Sequence, residues 1–168
     1  MGTRMQRTAR LVIVVGLMLG LLTGCGRAFG AFQIVEEPVV QSEVIGPLRF
    51  AEGLETGPVY EFSLVVPEEW VSRFAVRNNG NTATFVYMQS PDRPAPIFTI
   101  QALSARQFWE QVGSYPGQYQ DLVFTGDTYF IYQLPVDAFY SGLPKDEYAG
   151  FVEQVRAAVT SFSVALAN

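Results

Sequence analysis

The chain has 168 residues, of which 49% are hydrophobic and 16% charged, and its formal net charge is −5. It has no His, so it lacks the commonest general base at neutral pH. It has one Cys, which excludes a disulfide framework and a multi-Cys zinc site within the chain. The acidic balance argues against nucleic-acid binding, which needs clustered cations to displace phosphate counterions. We expect a single domain of ordinary size, without metal or cofactor.

The N-terminus has the pattern of an export signal. Residues 1–10 carry three Arg and no acid, and residues 11–22 are apolar. The apolar run is too short to span a bilayer core of about 30 Å. The sequence Leu22-Thr23-Gly24-Cys25 that follows resembles the lipobox of bacterial lipoproteins. This resemblance covers residues 1–25 and implies cleavage before Cys25, diacylglycerol on its thiol and often acylation of the new amine.

A lipidated Cys25 would place the protein in the cell envelope. Two or three acyl chains, such as palmitate, hold a protein stably on a membrane, here on its extracytoplasmic face. Gly26 stands where some lipoproteins of two-membrane bacteria carry an Asp that retains them at the inner membrane. The resemblance therefore implies the outer membrane if the host has one. The alternative is an ordinary secretory signal or signal anchor in which Cys25 is incidental.

After this signal peptide of residues 1–24, residues 25–47 show no sustained hydrophobic period. Their Gly, Pro and acidic residues predict a lipidated, flexible tether in front of one domain at residues 48–168. Val44-Ile45 and Leu48-Arg49-Phe50 would make a first edge strand interrupted by Gly46-Pro47. The alternation that begins at Tyr60 predicts a half-buried strand, which ends at Pro67 and leads into a turn at residues 68–70.

A hairpin, a strand and a short helix are predicted next. Asn79-Gly80 suits a type I′ turn, and pairing Asn78 with Asn81 across it places Phe74 opposite Phe85 and Val76 opposite Ala83. Residues 97–103 read as a strand, followed by a helix from Ala105 to Val112 that Ser104 caps, with Phe108, Trp109 and Val112 on one flank.

Gly126-Asp127 predicts a type II′ hairpin that pairs Phe124 with Tyr129 and Leu122 with Ile131. Since both faces of these two strands are apolar, we expect both faces to be covered. A C-terminal amphipathic helix starts near Pro144 and carries Tyr148, Phe151, Val152, Val155, Val159 and Phe162 at helical spacing. The order of elements predicts an α+β fold: a mostly antiparallel sheet of five to six strands packed with a C-terminal helix and a shorter helix.

The segment from Tyr60 to Trp70, with its Pro-x-x-Trp turn at Pro67, is similar to the first core strand and turn of PsbP-like and Mog1-like domains. The order of strands and helices over residues 60–162 is compatible with them. The resemblance implies an α/β/α sandwich used for binding or assembly, with no catalytic centre shared across the family.

Carboxylates are the only acid–base material available for catalysis. Glu68 with Glu69 and Asp146 with Glu147 are adjacent pairs that would not face each other across a cleft, as glycoside hydrolysis requires. The separate acids are Asp92, Asp121, Asp127 and Asp137. Asp127 is better explained by its turn. Ser141 and Lys145 are the remaining pair that could support a Ser nucleophile.

Aromatic residues make up 14% of the chain, and many lie beside loops. Those that would line a shallow groove for a sugar or a partner's hydrophobic anchor are Trp109, Tyr115, Tyr119, Phe139 and Tyr140. Alternatively, they plug the ends of the sheet. Phe108, Phe124, Phe130 and Phe151 are predicted to be core.

We therefore expect a non-catalytic, lipid-anchored envelope module that binds an envelope protein or wall ligand. A carboxylate-dependent hydrolase of glycan or ester bonds is the alternative. A structural accessory subunit, which would carry a large exposed apolar patch, is a third possibility.

Overall fold

The computed structural model describes residues 34–90, 93–114 and 119–168. Cys25, Asp92 and Tyr115 lie outside these ranges, as does the whole predicted signal sequence. The strands are β1 (Val35–Pro38), β2 (Glu43–Leu48), β3 (Ala51–Glu52), β4 (Glu55–Thr56), β5 (Tyr60–Val65), β6 (Phe74–Asn78), β7 (Thr82–Tyr87), β8 (Ala95–Leu103), β9 (Tyr119–Phe124), β10 (Tyr129–Gln133) and β11 (Ser163–Leu166). The helices are α1 (Ala105–Ser114), α2 (Ala138–Ser141) and α3 (Lys145–Ala158).

The predicted α+β fold is confirmed. A six-stranded antiparallel sheet has the order β1-β6-β7-β8-β10-β9, and α3 and the shorter α1 pack with it. A smaller antiparallel sheet has the order β11-β5-β2, and β3 and β4 form a separate hairpin. The strongly alternating strand β5 is therefore the centre of the smaller sheet.

The two longer helices lie on opposite faces of the six-stranded sheet. Successive residues of a strand point to opposite faces. On β10, Phe130 belongs to the main core, which also contains Phe151 and Val155 of α3. Its neighbour Ile131 packs instead in a second cluster with Phe108 of α1. The smaller sheet contributes to the same core as α3, through the inward-facing residues of β5.

The predicted turn before β6 is a 3₁₀ helix, Glu68–Trp70, that delivers Trp70 to the centre of the core. The indole is fully buried and stacks on Phe74, with ring centroids 4.2 Å apart and planes at 8°. Its Nε1–H donates to Oε1 of Gln154 on α3 over 2.6 Å, so the buried polar atom has a partner. This contact ties α3 to the turn.

The described part of the predicted tether belongs to the sheets. Residues 35–38 form β1, which pairs with β6, and residues 43–48 form β2, which pairs with β5. The folded region therefore begins before residue 48, where the sequence predicts the start of the domain. Gly46 and Pro47 continue the strand instead of interrupting it, which Pro tolerates because β2 lies at a sheet edge. Edge strands with Gly, Pro and acids lack the alternation that identifies inner strands.

The predicted register of the first hairpin is wrong by two residues. Phe74 faces Tyr87 instead of Phe85, and Val76 faces Phe85. Because side chains alternate with a period of two, this shift leaves every side chain on its predicted face. Phe74, Val76, Ala83 and Phe85 accordingly all lie in the main core.

The turn itself explains the shift. Asn79 Oδ1 accepts hydrogen bonds from the backbone N–H groups of Asn81 (3.3 Å) and Thr82 (2.9 Å), and the N–H of Asn79 donates to the Thr82 carbonyl. Asn79 is therefore the residue before the turn, and Gly80 and Asn81 are its centre. Gly80 has φ of 94°, which suits the first central position of a type II′ turn.

The second hairpin is predicted correctly at its turn and wrongly beyond it. Gly126 has φ of 98°, and Phe124 pairs with Tyr129 as expected. A bulge then shifts the register, so that Ile131 faces Asp121 instead of Leu122. Strand β10 is covered on both faces as predicted, whereas β9 is an edge strand and Phe124 is 50% exposed. The assignment of Phe124 to the core is wrong.

Helix α1 begins with the predicted cap. Ser104 Oγ accepts from the N–H of Gln107 (3.2 Å), and Gln107 Oε1 accepts from the N–H of Ser104 (3.0 Å), which is a capping box. The helix continues to Ser114. Trp109 is exposed, so it does not share the buried flank of Phe108.

The C-terminal helix is shorter than predicted. It ends at Ala158 and passes into a 3₁₀ turn, Val159–Ser161, so Phe162 lies beyond the helix, between this turn and β11. Strand β11 was not predicted, because its four residues are mostly exposed and show little alternation.

Candidate functional site

Helix α2 is a single turn that holds two aromatic side chains in solvent. Asp137 Oδ1 accepts from the N–H of Phe139 (2.8 Å) and caps the turn. Gly142 ends it with φ of 75°, and its N–H donates to the carbonyls of Ala138 and Phe139. Ser141 Oγ is buried and donates to the Ala138 carbonyl over 2.7 Å. Both ends of the turn are fixed, while Phe139 and Tyr140 remain 81% and 59% exposed.

A pocket of about 510 Å³ lies between α2 and α3 and opens to solvent. It is lined by Asp137, Ala138, Phe139, Lys145, Tyr148, Ala149, Val152 and Glu153. The five residues from α3 follow the spacing i, i+3, i+4, i+7 and i+8, so one face of the helix forms one wall. Most of the wall is apolar, and the three charged residues supply its polar groups.

Tyr148 forms the floor of this pocket. It is buried, and its hydroxyl donates to the carbonyl of Pro135 over 3.0 Å. Burial raises the pKa of Tyr148, and the negative charge of Asp137 raises it further. The Asp137 carboxylate therefore lies close enough to the Tyr148 hydroxyl to disfavour its ionisation.

The charged groups of the pocket differ in their partners. Asp137 is engaged as the cap of α2, and Glu153 accepts from Arg156 over 2.6 Å at the exposed surface of α3. Lys145 makes no ion pair within the described ranges. Two carboxylates and one unpaired ammonium group therefore surround an apolar space.

A second aromatic surface lies on the other face of the six-stranded sheet. Trp109 contacts Phe108 edge to face (5.2 Å), Phe108 stacks on Tyr129 (4.1 Å), and Tyr129 stacks on Phe124 (4.2 Å). Tyr119 packs against the same cluster. The exposed members of the row are Trp109, at 64%, and Phe124.

The structure does not gather the predicted groove residues into one groove. Phe139 lines the α2–α3 pocket, and Tyr140 stands beside it with its ring 5.7 Å from that of Phe139. Trp109 and Tyr119 belong to the surface around Phe108, on the opposite face of the sheet. Tyr115 lies outside the described residues.

The acids considered for catalysis have structural partners or lie in exposed elements. Glu69 accepts from Gln154 Nε2 over 2.6 Å, at the turn that carries Trp70. Asp146 and Glu147 occupy the first turn of α3, where they complement the helix dipole. Asp121 is exposed on β9. Among the acids predicted from sequence that the structure describes, Asp137 is the one that lines the α2–α3 pocket.

Asp127 joins the second hairpin to the smaller sheet. Its Oδ1 accepts from Tyr60 Oη (2.8 Å) and from Thr125 Oγ1 (2.9 Å). Burial acts to raise the pKa of Asp127, but the donated hydrogen bonds outweigh it and the pKa is lowered. Burial raises the pKa of Tyr60, and the neighbouring carboxylate contributes.

Ser141 and Lys145 do not form a nucleophile and base. Ser141 Oγ accepts from the Leu143 N–H while donating to a carbonyl, so both of its roles are structural. No cluster of three or more potential metal-ligating His, Cys, Asp or Glu side chains occurs in the part of the chain that the structure describes. No helix within residues 34–90, 93–114 and 119–168 is long and apolar enough to cross a membrane.

No protein-family model matches the chain, and comparisons with curated proteins and with solved structures give no match.

Sequence reasoning identified Phe139 and Asp137 but missed the wall of α3. Tyr148 and Val152 lie on the core-facing side of α3, as predicted, and they also line the pocket. Lys145 is predicted only as a partner of Ser141. The spacing of residues 145, 148, 149, 152 and 153 along one helical face was the available signal.

Proposed function

We propose that this chain is a lipid-anchored extracytoplasmic protein whose domain acts as a non-catalytic binding or assembly module of the cell envelope. The observation that carries the anchor is the sequence Leu22-Thr23-Gly24-Cys25 directly after a basic region and a twelve-residue apolar run. Charge, length, small residues and Cys all occur in the order that lipoprotein processing uses. The outer membrane is the proposed location if the host has one.

The binding role is supported by aromatic side chains held at the surface. Phe139 stands at the mouth of a pocket on a turn fixed at both ends, and Trp109 projects from α1. Large aromatic rings that are rigidly placed and exposed are typical anchors for a partner or a sugar. The proposed relation of residues 60–162 to PsbP-like and Mog1-like domains, which act in binding and assembly, agrees with this role.

The anchor is tested by feeding the native host an alkyne-labelled palmitate and detecting the label on the protein. The unmodified chain is expected to incorporate label, and Cys25→Ala to lose it and to accumulate as uncleaved precursor. Gly26→Ala is the matched control, because it alters the neighbouring residue and keeps the thiol. Equal labelling of Cys25→Ala and the unmodified chain would contradict the proposal.

A carboxylate-dependent hydrolase is the second candidate, because Asp137 and Glu153 line the same pocket. Hydrolysis of glycosides needs two carboxyl groups about 5–9.5 Å apart, one of which acts as an acid. The test is turnover of chromogenic glycosides and esters by the purified chain. Activity that is lost in both Asp137→Asn and Glu153→Gln would favour the enzyme over the binding module.

A further inference from the structure

The wall that α3 gives to the α2–α3 pocket is long and largely apolar. It begins at Lys145 and ends at Glu153, and at 1.5 Å for each residue of helix its length is about 12 Å. The two charged residues stand at its ends, and Tyr148, Ala149 and Val152 form the stretch between them. A ligand that follows this wall is therefore elongated and contacts mainly carbon atoms.

The hydrogen-bonding groups of the pocket already have partners or reach solvent. The Tyr148 hydroxyl donates to a backbone carbonyl, Asp137 caps α2, and Lys145 is exposed at the start of α3. None of the eight lining residues has a buried side-chain polar atom without a hydrogen-bond partner. A sugar or a peptide backbone would lose its bonds to water here without gaining new ones, which costs free energy.

The charges of the lining favour neither a cation nor an anion. Glu153 forms an ion pair with Arg156, which leaves no net charge at that end of the wall. Asp137 and Lys145, the other two charged residues of the lining, have opposite signs. Recognition in this pocket therefore depends on apolar contact, and its volume of about 510 Å³ lies within the range of about 300–1,000 Å³ typical of small-molecule sites.

We propose that the α2–α3 pocket binds the hydrocarbon chain of a single-chain amphiphile, such as a fatty alcohol. The chain would lie along Ala149 and Val152 on α3, opposite Phe139 on α2, with its head group in solvent. This deepens the proposed binding role by naming a ligand class, and it rests on that proposal only for the biological use of the site.

The test is photo-crosslinking of the full chain in phosphatidylcholine nanodiscs. The probe is a decyl chain that carries a diazirine and ends in a hydroxyl group, and a chain of ethylene glycol units of the same length is the polar comparison. Trypsin cuts after Lys145 and Arg156, so residues 146–156 of α3 form one peptide, whose labelled fraction mass spectrometry measures. The decyl probe is expected to label this peptide saturably, and the polar chain is not.

The head group is expected to have little influence. Decyl probes that end in a carboxylate or an ammonium group should label the peptide to within about threefold of the alcohol, because charges exposed to solvent contribute little to binding.

Two substitutions on α3 assign the label to the pocket. Ala149 is small and exposed, so Ala149→Trp fills the pocket without entering the core. Each CH₂ group removed from water contributes a factor of about four to affinity, so an indole that displaces two of them should reduce labelling about tenfold or more. Ala157→Trp places the same side chain at an exposed position of α3 outside the pocket and should leave labelling unchanged.

Two substitutions on α2 test the opposite wall and leave the measured peptide unaltered. Phe139→Ala removes a ring that lines the pocket and should reduce labelling. Tyr140→Ala removes the neighbouring exposed ring, which does not line the pocket, and should not.

The proposal is overturned if the decyl probe does not label residues 146–156 saturably, if the ethylene glycol chain labels them equally, or if Ala149→Trp and Ala157→Trp have the same effect. A preference of about tenfold for one charged head group would also overturn it, since exposed charges do not account for such a factor. These results are independent of lipidation. A lipidated Cys25 without label in the pocket would refute the ligand class alone, and label in the pocket of a chain whose Cys25 is unmodified would refute the anchor alone.

Discussion

The hydrogen bond between Trp70 and Gln154 fixes α3, and so one wall of the pocket, to the core. Gln154→Met preserves the length of the side chain but removes the acceptor of the Trp70 indole N–H, together with the exposed hydrogen bond that Gln154 Nε2 donates to Glu69. Because the indole is fully buried, its N–H then has no water to replace Gln154. An unsatisfied buried donor costs about 1–3 kcal/mol of unfolding free energy.

The assay is urea unfolding followed by far-ultraviolet circular dichroism, which does not depend on Trp70 as a probe. With a slope of about 1.5 kcal/mol/M, the expected loss lowers the midpoint by about 0.7–2 M. Trp70→Phe combined with Gln154→Met should cost less than the sum of the two single changes, because the first change removes the donor that the second leaves unpaired.

Gln120→Met on the exposed edge strand β9 is the matched control and should change the unfolding free energy by less than about 0.5 kcal/mol. A similar small effect for Gln154→Met, or strict additivity in the double variant, would refute the role assigned to this hydrogen bond.

Three further predictions concern stability. The lowered pKa of Asp127 stabilises the fold above the ordinary value of 3.8, and this contribution is lost as pH falls through the folded-state pKa. The raised pKa of Tyr60 acts at the other end of the pH scale: its contribution to the free energy of unfolding is complete below pH 10.0 and is lost as pH rises further. Asp127→Asn should flatten the acid limb of the curve of unfolding free energy against pH. Gly126→Ala should lower the free energy of unfolding by about 1 kcal/mol, because Gly126 has φ of 98°, which Ala rarely adopts. Gly150→Ala inside α3 should raise it by about 0.5 kcal/mol, because Ala is more stable than Gly within a helix. Equal effects of the two changes in urea unfolding would contradict this. Ser104→Ala should cost about 1 kcal/mol of unfolding free energy in the same urea assay, because it removes the cap of α1 and the hydrogen bond that Ser104 Oγ donates to Glu52. Ser104→Asn, which keeps both an acceptor and a donor, should restore part of it.

Much of the fold could be predicted from the sequence, because at most elements the local signals of hydrophobic pattern, helix cap and turn residue agree with the tertiary structure. The alternation from Tyr60, the cap at Ser104 and the turn at Gly126 all act within a few residues, and each is confirmed. The hairpin at Asn79 has a register different from the predicted one, because the Asn79 side chain accepts hydrogen bonds from the backbone of the turn. A choice between two registers that place the same side chains on the same face depends on such hydrogen bonds and not on hydrophobic pattern.

What the sequence did not reveal depends on position in the sheet. Phe124 and Phe130 both lie in strands whose two faces are apolar in sequence. Strand β9 is at the edge of the sheet and β10 is not, so Phe130 is buried and Phe124 is half exposed. The pocket is a similar case. Its wall residues on α3 appear as part of an ordinary amphipathic helix, and the neighbouring turn at Asp137 determines which of them face open space.

The central claim is that Cys25 is the lipidated first residue of the mature protein. Mass spectrometry of the intact protein from its native host tests it most directly. We predict a chain that starts at Cys25 and carries the added mass of a diacylglyceryl group, with or without a further acyl chain. A mature chain with an unmodified Cys25, or one cleaved at another residue, would contradict the lipid anchor.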